Sequence, residues 1–166
     1  MNRKGFTLIE LLGVIVILSI LMLIAIPNIS ATLERSKRDQ YIVDAKKMIS
    51  LVEYEIRKEG IDKPKSGDGV LVRLSKLSTS DLEKDADGNS YDTTNSYVVI
   101  TRKNGYLKYY INLVSTNGSK KSGISLVDSE RLDDDDRYTL VSGTVSTLTT
   151  NQIKSVSGVT GTLQEI

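Results

Sequence analysis

The feature that most constrains the fold of this chain is an almost uninterrupted apolar run over residues 6–26. This run would form a helix about 32 Å long, because an α-helix rises about 1.5 Å per residue. The hydrocarbon core of a bilayer is about 30 Å thick, so the run is long enough to cross a membrane. Arg3 and Lys4 precede it. Because cationic residues favour the cytoplasmic side, the N-terminus is predicted to lie inside and the rest of the chain outside.

One acidic residue, Glu10, lies near the start of the apolar run. A carboxylate in a spanning helix costs up to about 3 kcal/mol, and such residues usually serve a function. Lys4 and Arg3 are the cationic residues nearby in the sequence. A cut between Gly5 and Phe6 would add another cation, the new amine of Phe6. That amine could contact Glu10 of the same helix at i,i+4 spacing, or Glu10 of a neighbouring copy.

The segment over residues 4–10, with the sequence KGFTLIE, resembles the class III signal of type IV prepilins and pseudopilins. The resemblance implies that a prepilin peptidase cuts between Gly5 and Phe6 and that Phe6 is then N-methylated. It also implies that Glu10 neutralises the N-terminal amine of an adjacent subunit as the filament grows. Pro27 matches the proline that kinks the helix in that family. The resemblance covers roughly the first 30 residues.

Two other interpretations of this N-terminus fit less well. A secretory signal peptide is also basic and then apolar. It would not place Glu10 at the start of its apolar part, however, and no small-residue cleavage site follows. A plain membrane anchor accounts for the apolar run but explains neither Glu10 nor the Gly5–Phe6 pair.

Composition excludes several classes of function. The 22 Lys and Arg residues nearly balance the 21 Asp and Glu residues, so no strong single-sign field would attract nucleic acid. His and Cys are absent, which excludes Ser-His-Asp and Cys-His triads and the usual zinc sites. We expect no enzyme activity, and a membrane-anchored enzyme using paired carboxylates or Ser-Lys chemistry is the alternative of a different class.

The absence of Cys also bears on the source of the chain. Many small extracellular domains depend on disulfides, so this one must be held together by packing alone. Within the family that the N-terminus resembles, the lack of a C-terminal disulfide loop favours a Gram-positive source.

A second helical pattern follows the apolar run. Over residues 28–59 the apolar residues recur at spacings of four, three, four and four, which is typical of one helical stripe. Gly60 then suits the C-cap of this helix. The stripe consists of Tyr41, Ala45, Met48, Val52 and Ile56.

The clearest sheet signal lies between residues 96 and 114. Asn104-Gly105 is a strong two-residue hairpin turn, and closing it pairs Lys103 with Tyr106. One face of the hairpin is then apolar and is predicted to lie on the helical stripe, because a one-residue slip would turn it outward. This face contains Val98, Ile100, Leu107, Tyr109, Ile111 and Leu113. The other face, predicted to be outward, contains Tyr97, Thr101, Lys108, Tyr110 and Asn112.

The remaining segments carry weaker signals. Ser80 with Glu83 three residues later suits a helix start. Short strands are predicted at residues 70–77, 124–127 and 138–141. From residue 142 the Ser- and Thr-rich tail predicts weak edge strands or an extended flap.

Two acidic segments and two tyrosines are candidate binding features. Asp85, Asp87 and Asn89 supply the oxygen ligands that calcium prefers but lack the spacing of an EF-hand. A solvated turn is the alternative, since Asp, Asn and Gly favour turns. The acidic run at residues 133–136 suits an exposed loop. Tyr97 and Tyr110 are expected to be exposed, either serving adhesion or covering the outer face of the sheet.

Together these observations predict an α+β pilin fold, in which a long kinked N-terminal helix packs against a small antiparallel sheet. The resemblance implies a structural subunit of an extracellular type IV pilus that serves motility, adhesion or DNA uptake. A pseudopilin of a type II secretion or competence system is the alternative. The predicted segments are a leader at 1–5, a membrane and filament-core helix at 6–27, an amphipathic helix at 28–60 and a β-rich head at 61–166.

The same resemblance implies the partners and the location. The partners are prepilin peptidase, an inner assembly platform, and other pilins in a homo- or hetero-oligomeric filament. DNA or surface ligands are left open. The chain would span the cytoplasmic membrane before assembly and lie in an extracellular pilus afterwards. No cofactor is expected other than the calcium considered above.

Overall fold

A computed structural model of the chain describes residues 5–77, 82 and 84–166. Its residues group into two compact units, Met1–Ser36 and Lys37–Ile166. One long helix, α1 (Leu8–Glu59), contributes residues to both units. The leader cations Arg3 and Lys4 lie outside the described residues, as does the helix start predicted at Ser80.

Helix α1 ends where the sequence predicts. Gly60 has a φ of +65°, a conformation that glycine adopts readily. The backbone N–H of Ile61 donates to the carbonyl of Ile56 at 3.1 Å, which satisfies one of the carbonyls left open at a helix end. The predicted C-cap is therefore confirmed.

Seven strands form one sheet in the order β6-β5-β4-β3-β1-β7, with β2 paired to β4. The strands are β1 (Gly69–Arg73), β2 (Ser90–Tyr91), β3 (Tyr97–Lys103), β4 (Tyr106–Thr116), β5 (Lys121–Asp128), β6 (Val141–Ser142) and β7 (Leu163–Glu165). All neighbouring pairs are antiparallel except β1 and β7, which are parallel. The predicted antiparallel sheet is confirmed in its main part, and its last strand is a parallel addition.

The central hairpin of β3 and β4 has the predicted register. Lys103 pairs with Tyr106, and the pairing continues outward without a shift to Tyr97 and Asn112. Asn104 and Gly105 have φ values of +52° and +85°, as a two-residue primed turn requires. The turn and the alternation of apolar residues specify the same register, so the prediction is confirmed.

The inner face of the sheet packs against the stripe of α1. Their side chains form one buried cluster, as predicted from the helical and strand patterns. From α1 it includes Tyr41, Ile42, Ala45, Met48 and Val52. From the hairpin it includes Val98, Ile100, Ile111 and Leu113, with Leu107 and Tyr109 partly buried at its edge.

The outer face of the sheet is also covered, contrary to the prediction from its alternating pattern. A second helix, α2 (Thr150–Ser157), begins at a capping box formed by Thr149 and Gln152. The sequence signal for it was a Thr followed three residues later by Gln, in a tail dominated by Ser and Thr. The expectation of an extended flap is therefore wrong for this segment.

Helix α2 and the loop after it close a second apolar cluster on the outer face of the sheet. Its members are Leu71, Tyr97, Val99, Leu126, Ile153 and Val159. Tyr97, Thr101 and Asn112 are buried, so the expectation of an exposed outer face is wrong at these positions. The unbroken apolar run at residues 97–100 was the signal, since strands buried on both faces lack the usual alternation.

Strand β7 is attached to β1 at the edge of the sheet. The guanidinium of Arg73 forms an ion pair with Glu165 through two nitrogens and also donates to the carbonyl of Thr94. The backbone N–H of Ile166 donates to the carbonyl of Leu71 at 2.9 Å. The strand is short, and these contacts supplement its few ladder hydrogen bonds.

Two of the weaker strand predictions need correction. Residues 137–140 form a 3₁₀ helix (Arg137–Leu140), and the strand begins only at Val141. The predicted strand at 70–77 ends at Arg73 and continues as a 3₁₀ turn (Leu74–Lys76). Each turn buries one leucine, Leu74 directly after β1 and Leu140 before Val141. A buried apolar residue in a short run therefore does not by itself indicate a strand.

Candidate functional site

The start of α1 is held by a reciprocal pair of side chains, Thr7 and Glu10. The backbone N–H and the hydroxyl of Thr7 both donate to Oε2 of Glu10, each at 2.8 Å. The backbone N–H of Glu10 is 3.3 Å from Oγ1 of Thr7. This arrangement is a capping box, which satisfies donors that a helix N-terminus leaves open. The Thr-x-x-Glu signal was present in the sequence but was not recognised as a cap.

The cap places Glu10 directly beside the predicted cleavage point. Gly5 and Phe6 precede the helix and are exposed, and Thr7 is the next residue. Oε2 of Glu10 is occupied by Thr7, whereas Oε1 accepts no hydrogen bond from the described residues. The carboxylate can therefore cap its own helix and still accept a hydrogen bond from another donor.

The apolar side chains of α1 in the first unit have no partner within the described part of the chain. The large hydrophobic residues from Phe6 to Ile26 are between 47% and 87% exposed. Among the described residues, α1 is the one helix long and apolar enough to cross a membrane. Exposed apolar area of this extent is typical of a surface that meets lipid or other proteins.

Pro27 lies inside α1 and does not interrupt it. Proline has no backbone N–H, so it removes one hydrogen bond of the helix. Polar side chains around it donate to backbone carbonyls one turn earlier: Asn28 to Ile24 at 3.3 Å and Ser30 to Ile26 at 3.2 Å. The alternative of a local break is therefore wrong, and the kink stays a prediction.

Comparison with known families gives one match at this segment. The model of the prokaryotic N-terminal methylation motif matches residues 1–26. This chain carries a class III N-terminal methylation signal. The match covers the apolar run that can cross a membrane, and together these features indicate membrane anchoring.

A comparison with curated proteins matches the same part of the chain. The ComG operon protein 3 homolog of Bacillus licheniformis is 63% identical over 30 residues. These residues are 18% of this chain and 31% of the relative, so the chain spans about a third of the relative's length. No solved structure matches the chain. The motif-bearing segment is therefore related to known proteins, whereas the head stands on its own geometry.

Outside the signal, the buried carboxylate of Asp85 accepts five hydrogen bonds from the described residues. Its Oδ1 accepts the backbone N–H groups of Asp87 and Asn89, each at 2.9 Å. Its Oδ2 accepts the hydroxyls of Tyr41 at 2.8 Å and Ser115 at 2.6 Å, and the side-chain amide of Asn89 at 3.1 Å. Asp85 thus joins its own loop to α1 and to β4.

The electrostatics of Asp85 follow from these contacts. Burial by itself would raise the pKa of Asp85, but the hydrogen bonds from Ser115, Tyr41 and Asn89 outweigh it and hold the pKa below its ordinary value. Burial raises the pKa of the Tyr41 hydroxyl, so that group stays protonated and donates to the carboxylate. The network is therefore an ionised carboxylate surrounded by neutral donors.

The same contacts bear on the calcium hypothesis for Asp85, Asp87 and Asn89. Both oxygens of Asp85 are used by protein donors, and Asp87 forms an ion pair with Lys37 at 2.7 Å. Within residues 5–77, 82 and 84–166 no group of three or more acidic side chains could hold a metal ion. Calcium binding stays a prediction, and Asp85 has a structural role that needs no ion.

Replacing Asp85 with Asn is expected to lower the free energy of unfolding at neutral pH by about 2 kcal/mol, because the hydrogen bonds to a charged group are lost. A carboxyl with a lowered folded-state pKa stabilises the fold above its unfolded pKa of about 3.9, and this contribution disappears as the pH falls. Denaturant unfolding between neutral pH and about pH 3 should therefore show a shallower pH dependence in the variant.

Asp87→Asn provides the matched control, since Asp87 is on the same loop but exposed. Loss of its ion pair with Lys37 should cost no more than about 1 kcal/mol. Equal losses in the two variants would contradict the assignment of the network to Asp85.

The acidic run at residues 133–136 is exposed, as predicted, but it is not unpaired. Asp133 forms an ion pair with Lys46 of α1. Arg131 lies 2.7 Å from Asp136 and 3.8 Å from Asp134. These cations reduce the mutual repulsion of the carboxylates and attach the loop to the helix.

The two tyrosines predicted to be exposed differ in position. Tyr97 is 3% exposed and lies in the second apolar cluster, where burial raises its pKa to about 12. Tyr110 is half-buried at the edge of that cluster. A role in adhesion is therefore excluded for Tyr97 in this fold. The exposed aromatic ring of the hairpin is that of Tyr106, whose predicted role was only to pair with Lys103 next to the turn.

Proposed function

We propose that this chain is a structural subunit of an extracellular type IV pilus. The single observation that carries the proposal is the methylation signal at residues 1–26. The exposed apolar helix and the capped Glu10 at its start support it, because a subunit of such a filament needs both an apolar shaft and a way to align neighbours. The α+β head provides the outer part of the subunit.

The proposed processing has two steps. Prepilin peptidase cuts the leader, residues 1–5, between Gly5 and Phe6 and methylates the new N-terminus at Phe6. Hydrolysis of the Gly5–Phe6 bond releases the leader as a separate peptide. A methyl donor used by the enzyme then supplies the methyl group, and the shortened chain ends in a cationic secondary amine at Phe6. Residues 6–27 then form the membrane and filament-core part of α1, residues 28–60 the amphipathic part, and residues 61–166 the head.

Glu10 has the proposed role of pairing with the Phe6 amine of a neighbouring subunit. Its Oε1, which accepts no hydrogen bond from residues 5–77, 82 and 84–166, supports this role, because the carboxylate can accept that amine without giving up the cap made by Thr7. Two opposite charges in an apolar environment attract strongly, so correct axial alignment is favoured over slipped alignments. Filament symmetry would be helical, through heterologous contacts that do not close.

The proposal is tested by mass spectrometry of the protein recovered from its native host. The expected N-terminal peptide begins at N-methylated Phe6. A mature chain that retains Met1 to Gly5 would contradict the proposal, as would an unmethylated start at another residue. Retention of Met1 to Gly5, together with cleavage of a substrate by the mature chain in a separate activity assay, would favour the membrane-anchored enzyme instead.

A pseudopilin of a competence or type II secretion system is the second candidate. The match to the ComG operon protein 3 homolog favours keeping it, although the matched segment is one that pilins and pseudopilins share. Electron microscopy of sheared surface fibres separates the two. Long fibres labelled by an antibody to this chain support a pilus, and their absence in cells that carry the methylated chain supports a pseudopilus.

The proposed partners follow from this function. They are prepilin peptidase, an assembly platform in the membrane, and other pilins in the filament. The subunit would span the cytoplasmic membrane with its N-terminus inside before assembly and be extracellular afterwards. The Bacillus relative and the absence of Cys support a Gram-positive source.

A further inference from the structure

A groove lies on the outer face of the hairpin, between its turn and the end of β5. This open groove has a volume of about 560 Å³, within the range of small-ligand sites. Its walls carry Lys103, Asn104, Tyr106 and Tyr110 on the hairpin side. The methylation signal, the apolar helix and the Asp85 network use none of these residues. The functions described above therefore assign no role to the groove.

Tyr106 contributes an exposed aromatic ring to the groove. Its side chain is 76% exposed, whereas the neighbouring Tyr110 is half-buried. A tyrosine ring has a negative π face and a polar hydroxyl. Such a ring can lie flat against C–H groups, which are weakly positive, while its hydroxyl forms hydrogen bonds with the same ligand. Packing the apolar part of this ring against a ligand would remove it from water, which is favourable.

The charges in the groove are balanced. Lys108 forms an ion pair with Glu130 and lies 3.9 Å from Asp128. Lys103 is the second cation, so two positive groups face two negative ones. A phosphate polymer would meet as much repulsion as attraction, since nucleic-acid binding depends on an excess of positive charge. The groove therefore offers hydrogen-bond donors and acceptors but has no excess charge of either sign that would favour an anionic or a cationic ligand.

We propose that this groove binds a neutral carbohydrate chain, whose C–H face packs on Tyr106 and whose hydroxyls bond to Asn104 and to the charged side chains. A sugar presents C–H groups on one side and donors and acceptors around its rim, which matches an aromatic ring bordered by groups of both kinds. The ion pair can bind sugar hydroxyls in both ways, because Lys108 donates hydrogen bonds and Glu130 accepts them. The inference does not depend on filament assembly, because the unassembled chain contains the whole groove.

The inference is tested by calorimetric titration of the full chain in lauryldimethylamine oxide, a detergent that carries no sugar. The probes are cellotetraose, maltotetraose and N,N′,N″,N‴-tetraacetylchitotetraose, with an oligothymidylate as the anionic comparison. At least one tetrasaccharide is expected to bind. Tyr106→Ser should lower its affinity about tenfold or more. Asn104→Gly should also weaken binding, because Gly accepts the φ of +52° and removes only the amide.

Tyr54→Ser is the matched control. Tyr54 is also an exposed tyrosine of the second unit, at 58%, but it lies on α1 and not in the groove. Its replacement should change the affinity less than about twofold, and thermal melts should show that all variants remain folded. Failure of all three sugars to bind would overturn the inference. Equal losses in the Tyr54 and Tyr106 variants, or tighter binding of the oligothymidylate, would also overturn it.

Discussion

Replacing Glu10 with Ala is expected to reduce the yield of filaments by an order of magnitude or more, while membrane insertion and leader cleavage continue. In the proposed filament the replacement leaves the Phe6 amine unpaired in an apolar environment, and removing one partner of a buried ion pair costs about 3–5 kcal/mol. The measurement is an immunoblot of sheared surface fraction against membrane fraction, with cleavage followed by mass spectrometry. Wild-type yield from the variant would contradict the proposed pairing.

The capping box allows two further variants to be compared, because capping the helix and pairing with the amine are separable roles of Glu10. Glu10→Gln keeps a side chain that can cap the helix, since Gln also serves at this position of a capping box. It removes the charge. Thr7→Val keeps the charge and removes the hydroxyl of the cap. If pairing with the amine matters most, the Gln variant should fail to assemble and the Val variant should assemble. The opposite result would assign the role of Glu10 to helix capping.

Replacing Gly123 with Ala is expected to destabilise the head by about 3 kcal/mol or more, or to prevent its folding. Gly123 lies in β5 with a φ of +141°, which L side chains rarely adopt. An added Cβ would lie 2.1 Å from the carbonyl oxygen of Leu113 and 3.1 Å from Cα of Val114. Both are backbone atoms of the central strand β4, so the clash cannot be relieved by rotating a side chain.

Gly118→Ala separates backbone strain from this clash. Gly118 has a φ of +90°, but a Cβ there would meet no atom within 4 Å. Its replacement should cost about 1–3 kcal/mol for the strained conformation alone. Urea unfolding of the full chain, followed by the loss of tyrosine signal from the core, measures both variants. Equal midpoints for the two would contradict a clash at Gly123.

The parts of the fold that the sequence predicted correctly are those specified by local patterns. The register of β3 and β4 follows from the Asn104-Gly105 turn, which fixes the pairing through backbone conformation alone. The stripe on α1 follows from the helical period, and Gly60 marks its end. In each case the pattern is formed by residues that lie only a few positions apart in the sequence.

The parts that were missed depend on contacts between distant residues. Tyr97 is buried because Ile153, far along the chain, covers the outer face of the sheet. The loop of Asp85 has the residue types of an ion site, whereas Tyr41 and Ser115, both distant in the sequence, donate to its Oδ2. No local pattern reveals such partners. The cap formed by Thr7 was missed for another reason: the apolar run suggested a membrane role for Glu10 and obscured the local one.

At the candidate site, the sequence located the signal but not its geometry. The match over residues 1–26 agrees with the segment identified from KGFTLIE. The roles of Gly5, Phe6 and Pro27 stay predictions, because they concern a cleavage, a methylation and a bend that follow from the resemblance. The groove around Tyr106 could not be predicted, since Glu130 reaches Lys108 only in the folded sheet.

The pairing of β1 with β7 determines when the head can be completed. Gly69 is among the first residues of the sheet, and its partner Leu163 is among the last. The neighbouring hydrogen bond, from the N–H of Thr162 to Asp68, joins residues 94 positions apart. Closing so long a loop is slow compared with local folding, and the edge of β1 remains open to unwanted pairing until it closes. A chain that folds in sequence order must therefore wait for Leu163 and its neighbours before this edge is protected.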